Sequence, residues 1–174
     1  MTRRTLHLLR HAKSSWDDPG LSDRERPLAG RGEKASARMA RHMEAVGVRP
    51  SLVICSPAVR TRQTLTAVER ALPDGVEVRF DDGLYGAGVT DLIRLVRSVP
   101  AAVEELMLIG HNPGLQDLAL TLVGAGDGAE IDRLGQKLPT GALVTLSFGV
   151  PWSRVSAGVA RLESFVAPRQ LPRR

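Results

Sequence analysis

The chain has 174 residues, of which 43% are hydrophobic, 25% charged and 3% aromatic, with a net charge of +5 and a pI near 10.3. That length reads as a single domain over residues 1–174, short for two, and the aliphatic content excludes wholesale disorder. No apolar run approaches the roughly 20 residues that span a bilayer, and the short run ending at Arg10-His11 lacks the length and cleavage site of a signal peptide, so a cytoplasmic protein without membrane association is expected.

In chain order, residues 5–9 read as a buried strand, and 29–46 has helical period with Ala35, Met39, Met43 and Val46 on one face. Leu52-Val53-Ile54-Cys55 reads as a second strand, followed by a helix over 57–72 with Ala58, Leu65, Val68 and Leu72 inward. Residues 76–80 alternate like a strand, 89–99 are helical in period, Leu106-Met107-Leu108-Ile109 is another buried strand and 113–123 another helix. Residues 124–139, rich in Gly and polar groups, read as a long surface loop or lid. Two β segments, Gly141 to Phe148 and Val155 to Val166, close the pattern, and 168–174, with Arg169, Arg173 and Arg174, read as a frayed tail. Short apolar strands alternating with helices predict an α/β domain, a three-layer sandwich with a mostly parallel central sheet and antiparallel strands at an edge.

The lone Cys55 sits in an apolar run and reads as a buried small hydrophobe, and no Cys/His cluster has zinc spacing. Only three of the 24 basic residues are lysines, and along the chain the charges are spread rather than gathered into a stripe. With few aromatics to stack bases, no nucleic-acid partner is expected; the positive field suits a phosphorylated or acidic substrate equally well.

The chemistry collects at strand ends. Ser56-Pro57 and His111-Asn112-Pro113 each follow a strand and precede a helix, with Ser56 and Asn112 suited to N-cap positions and the prolines to the first helical turn. Such junctions point N–H groups at an anion and, in parallel sheets, gather at the carboxyl edge. Arg10, His11, Arg60 and His111 would converge there. Arginine forks hold phosphate oxygens, a neutral imidazole can attack phosphorus, and a protonated one can donate to the transferring group. Phosphoryl transfer needs little beyond positioning and charge stabilisation, which this set supplies without a metal or cofactor.

These residues resemble a known family. Leu9-Arg10-His11-Ala12-Lys13 looks like the Arg-His-Gly/Ala signature of the histidine phosphatase superfamily. Ser56-Pro57-Ala58-Val59-Arg60-Thr61-Arg62-Gln63-Thr64 and Gly110-His111-Asn112-Pro113-Gly114 look like its second and third blocks. The short chain, Arg26-Pro27-Leu28 and Gly30-Arg31-Gly32 are similar to the SixA-type protein phosphohistidine phosphatases. The resemblance implies a phosphoglycerate mutase-like fold and a covalent mechanism. His11 would become phosphohistidine, Arg10, Arg60 and His111 would surround the phosphoryl oxygens, and water would hydrolyse the intermediate.

The expected substrate is phosphohistidine on a protein. The alternatives are a small phosphomonoester, such as a sugar or nucleotide phosphate, and a phosphate-binding module without turnover. Ester-cleaving relatives place a carboxylic acid to protonate the leaving group; Asp82 is one candidate, with Asp17 and Asp18 as rivals. Arg26 either reaches the phosphate or pairs with Asp23 or Glu25. His7 reads as structural, and Lys13 and Trp16 as shaping the entrance or, for Trp16, anchoring the loop. The sequence leaves the oligomeric state open.

Overall fold

A computed structural model describes residues 2–173. Its elements are β1 (Arg4–Arg10), α1 (Gly30–Val46), β2 (Leu52–Cys55), α2 (Val59–Val68), β3 (Glu77–Phe80), α3 (Val89–Arg97), β4 (Glu105–Gly110), α4 (Gly114–Leu122), β5 (Val123–Gly126), α5 (Gly128–Gln136), β6 (Leu143–Phe148) and β7 (Ala160–Val166). All of these strands join one sheet in the order β3-β2-β4-β1-β6-β7-β5. The first four strands in that order run parallel, and β6 is antiparallel to both β1 and β7.

Alternation along the strands sorts side chains to the two faces. Leu6, Leu8, Leu52, Ile54, Leu106 and Leu108 pack with Leu92, Val96, Leu115 and Leu118 of α3 and α4. Leu9, Val53, Cys55, Met107 and Ile109 pack instead with Met39, Met43, Leu65 and Val68 of α1 and α2. The result is the predicted three-layer α/β sandwich. Burial pushes the Cys55 thiol up to about 12, which leaves it an inert hydrophobe.

Several expectations are corrected. The segment 124–139 is not a loop: β5 pairs in parallel with β7 at the sheet edge, and α5 follows, capped by Asp127 accepting from the Glu130 N–H. Gly124 hides that strand from any hydrophobic pattern, because a Cβ there would lie 2.1 Å from the Gly158 carbonyl oxygen. The antiparallel β6 is therefore internal rather than at an edge. Val46 is 59% exposed, and Val48, beyond the Gly47 left-handed cap, enters the core instead. Residues 168–170 form a 3-10 turn with Pro168 buried, and Leu171 packs on the α1/α2 side, so this part of the expected tail is docked; Arg174 lies outside the described residues. Neither proline opens a helix: α2 starts at Val59 and α4 at Gly114, although the Asn112 side-chain oxygen still accepts from the Gln116 N–H at 3.2 Å.

The Gly30-Arg31-Gly32 element has a packing cause. A Cβ on Gly32 would sit 2.2 Å from the Lys13 carbonyl oxygen, so glycine lets the start of α1 lie directly against the loop that follows His11. That same carbonyl accepts from the Ala29 N–H at 2.9 Å. Gly32→Ala is expected to cost about 1–3 kcal/mol of unfolding free energy, read from denaturant midpoints. An unchanged midpoint would mean that loop and helix part without penalty.

Candidate active site

Strand register assembles the site. Arg10 is paired with Gly110 and Cys55 with Ile109, so His11, His111 and Ser56 leave neighbouring parallel strands side by side. The His11 N–H donates to the Gly110 carbonyl and the Ser56 N–H to the Ile109 carbonyl, each at 3.0 Å, carrying the ladder one residue further. The His11 and His111 rings end with their centroids 5.3 Å apart.

The His11 ring is 7% exposed and donates from Nδ1 to the Ala12 carbonyl at 2.7 Å. That bond fixes the tautomer and leaves the Nε2 lone pair open. Burial, reinforced by the charges of Arg60, His111 and Arg10, pushes its pKa down to about 3 despite the Ala12 bond. His111 is likewise pushed down to about 4 by burial and then by Arg60. Its Nε2 shares a 2.7 Å hydrogen bond with Ser56 Oγ, while Nδ1 is buried with no partner. In the tautomer in which the Ser56 hydroxyl donates to Nε2, Nδ1 carries the proton and can donate to an incoming acceptor.

The two expected arginines converge on the histidines. Arg10 donates to the Leu138 carbonyl at 2.9 Å, and its Nε is buried and unpartnered. Its pKa is lowered by burial and by Arg60. Arg60, in the first turn of α2, is 7% exposed and bonds Asp23 twice, through the backbone oxygen at 2.6 Å and the carboxylate at 3.0 Å. Open donors on a guanidinium and an imidazole, around a neutral nucleophilic nitrogen, can receive a phosphoryl group.

Asp23, which the sequence offers only as a possible partner for Arg26, also joins the site. Its carboxylate also accepts from Arg26 at 2.9 Å and from the Tyr85 hydroxyl at 2.6 Å. The Tyr85 bond, then Arg60 and Arg26, hold it down at about 2. Tyr85 in turn meets the His111 ring edge-on at 5.3 Å between centroids. Both proposed roles of Arg26 are thereby narrowed: it pairs with Asp23, donates to the Ser15 carbonyl and Ser14 hydroxyl, and stacks on Trp16 with 3.3 Å to the ring centroid. Trp16, 71% exposed, anchors this loop. A weak signal was available in the spacing of Asp23 and Arg26, three residues apart before a proline; nothing in it points to Arg60 or Tyr85.

None of the three candidate acids hydrogen-bonds a histidine. Asp82 is exposed and paired with Arg24. Asp17 and Asp18 lie on the exposed part of the loop, with Asp18 accepting from the Gly20 N–H. His7 is structural, as expected, bonded to Thr145 at 2.8 Å and Glu105 at 2.7 Å. Among the described residues no three His, Cys, Asp or Glu side chains form a metal-ligand cluster, and no helix is long and apolar enough to cross a membrane.

Fold and pocket together define a class: an α/β sandwich with a neutral, buried histidine and arginine donors at the carboxyl edge of its sheet. The chain belongs to the histidine phosphatase superfamily (branch 1), whose model matches residues 6–92. It is 34% identical over 163 residues to an uncharacterised protein of Mycobacterium tuberculosis, covering 92% of this chain and all 100% of that one. A structure from Nakamurella multipartitia, which carries the name putative phosphohistidine phosphatase SixA, is similar at 29% identity with a TM-score of 0.82, covering 97% of this chain and 98% of that one. A protein of Agrobacterium tumefaciens carrying the same putative name is similar at 30% identity and a TM-score of 0.81, over 95% and 98% of the two chains.

The depressed histidines have a consequence for stability. Unfolded, His11 titrates near 6.5; folded, near 3. Between those values the unfolded chain binds more protons, so the stability that His11 contributes above pH 6.5 is lost as pH falls towards 3. Asp23 acts in the same direction between 3.8 and about 2. Denaturant midpoints are expected to drop from pH 7 to pH 4.5, and His11→Gln should flatten that drop. Parallel pH profiles for the two proteins would show that His11 is not held neutral.

Proposed function

We propose that this protein hydrolyses phosphohistidine on a protein, through a covalent phosphohistidine on His11. His11 Nε2 attacks phosphorus as the bond from phosphorus to the substrate's imidazole nitrogen breaks. The bonding pair leaves with that imidazole, which departs neutral with a proton already on its far nitrogen. Arg10, Arg60 and the Nδ1–H of His111 face the phosphoryl oxygens, where charge must be stabilised. Water then attacks phosphorus, the pair of the second P–N bond returns to Nε2, and phosphate leaves with the water's oxygen.

One observation favours a phosphoramidate over an ester. The carboxylate that reaches the pocket, Asp23, is held ionised by Tyr85, Arg60 and Arg26 at a pKa of about 2. It has no proton to give an alkoxide at neutral pH, whereas an imidazole leaving group requires less help. The names carried by the similar structures support the same substrate class.

The direct test measures phosphate release from a phosphohistidine-bearing protein and from an alkyl phosphate, side by side, with quenching in base. The wild type should strongly prefer the protein, and His11→Ala should abolish turnover and the base-stable label on the enzyme. Preference for the ester would move the substrate to small metabolites; no turnover of either would leave a phosphate-binding module.

A second experiment isolates Asp23. Asp23→Asn should slow cleavage of an alkyl phosphate and of an aryl phosphate with a good leaving group by the same factor, since both then depend only on how Arg60 is positioned. A further loss of about 10²–10⁴ confined to the alkyl ester is the signature of a missing proton donor and would make Asp23 the acid.

A further inference from the structure

The fold gathers cations that look scattered along the sequence. Lys13, Arg31, Arg38, Lys137 and Arg169 line an open groove of about 370 Å³ together with Ala35, Pro139, Thr140, Ala167 and Pro168. No aspartate or glutamate lines it, and among the described residues none of its five cations is in an ion pair. Arg38 Nε is moreover buried without a hydrogen-bond partner. A buried donor left open costs free energy that an incoming acceptor would recover. A second concavity of about 230 Å³ continues along α1 past Arg38, Arg41 and His42.

This groove and the active site share their backbone. Lys13 follows His11 by two residues, and the Leu138 carbonyl, next to Lys137, holds Arg10. The Gly141 N–H, beyond Thr140, donates to both the Arg10 and His11 carbonyls, at 3.1 and 2.9 Å. The groove therefore adjoins the backbone segments that carry Arg10 and His11.

We propose that this groove docks an acidic face of the protein substrate, with carboxylates near the phosphohistidine; the inference rests on the protein-phosphohistidine reading above. Arginine forks match carboxylates in paired hydrogen bonds, and a uniformly positive groove rejects basic partners. A protein suits it better than a nucleic acid, because no aromatic side chain lines the groove to stack bases.

The test titrates two synthetic peptides, each with a central unphosphorylated histidine, one flanked by glutamates and the other by glutamines, by calorimetry at low salt. The wild type should bind the glutamate peptide at least about tenfold more tightly, the scale of a few exposed ion pairs. Arg31→Glu/Lys137→Glu, both at exposed positions, should erase that preference. Arg154→Glu, an exposed residue outside the groove, should retain it. Equal binding of the two peptides, or equal loss in Arg154→Glu, would overturn the docking site. Tighter binding of a single-stranded RNA oligonucleotide, lost in the double variant, would reassign the groove to nucleic acid. None of these titrations needs turnover, so failure of the phosphatase assay and failure of the groove are read separately.

Discussion

The pairing register of β1, β4 and β2 is the constraint on which the site depends. Parallel neighbours lie about 4.8 Å apart, so residues leaving two strands at paired positions emerge as neighbours. Arg10 opposite Gly110 and Cys55 opposite Ile109 thus deliver His11, His111 and Ser56 to one edge. The core enforces that register. Slipping β1 by one residue would turn Leu6 and Leu8 away from α3 and α4 and carry His7 out of reach of Glu105 and Thr145. The same apolar contacts that hold the sheet together therefore fix the spacing of the histidines.

Electrostatics then decide what those residues are. Arg60 stands close enough to Arg10 to disfavour its charge, and both disfavour charge on the rings. The balancing charge comes from the loop after His11, where Asp23 ties Arg60 and Arg26 to Tyr85. That loop has almost no regular structure, yet a bridge between Ser14 and Leu28 closes it, and Trp16 and Ser14 hold Arg26 from the other side. It is one wall of the pocket, built from side-chain bonds rather than from a helix or strand.

This division explains what the sequence discloses. The strands that carry Arg10, His11 and His111 are apolar runs with few alternatives, and α2, which places Arg60, has its inward residues at helical spacing; all were legible. Asp23, Tyr85 and the Ser56–His111 bond were not, because each is a long-range contact between irregular segments, with no period to mark it. β5 escaped for a related reason: Val123-Gly-Ala-Gly has no alternation, since Gly124 yields to a passing backbone. The basic groove depends on five side chains drawn from separated stretches of the chain, which only the packing of α1 against the 137–140 and 167–169 segments unites. Local pattern shows elements; it cannot show which loops will meet.

In the proposed mechanism, the low basicity of His11 and its nucleophilic role go together. A proton and a phosphoryl group compete for the same Nε2, and they carry opposite charge. Burial first, and then the charges of Arg60 and Arg10, make that nitrogen a poor place for a cation, which is why it stays unprotonated at neutral pH without a partner base. The same charges make it a good place for a transferring group whose oxygens are negative. Burial sharpens both effects, since fewer waters screen the interaction. When water later attacks, the departing His11 is again a weak base, and a weak base leaves readily. A pocket that repels one electrophile and attracts the other thus serves both halves of the reaction, with the nucleophile restored in the state in which it began.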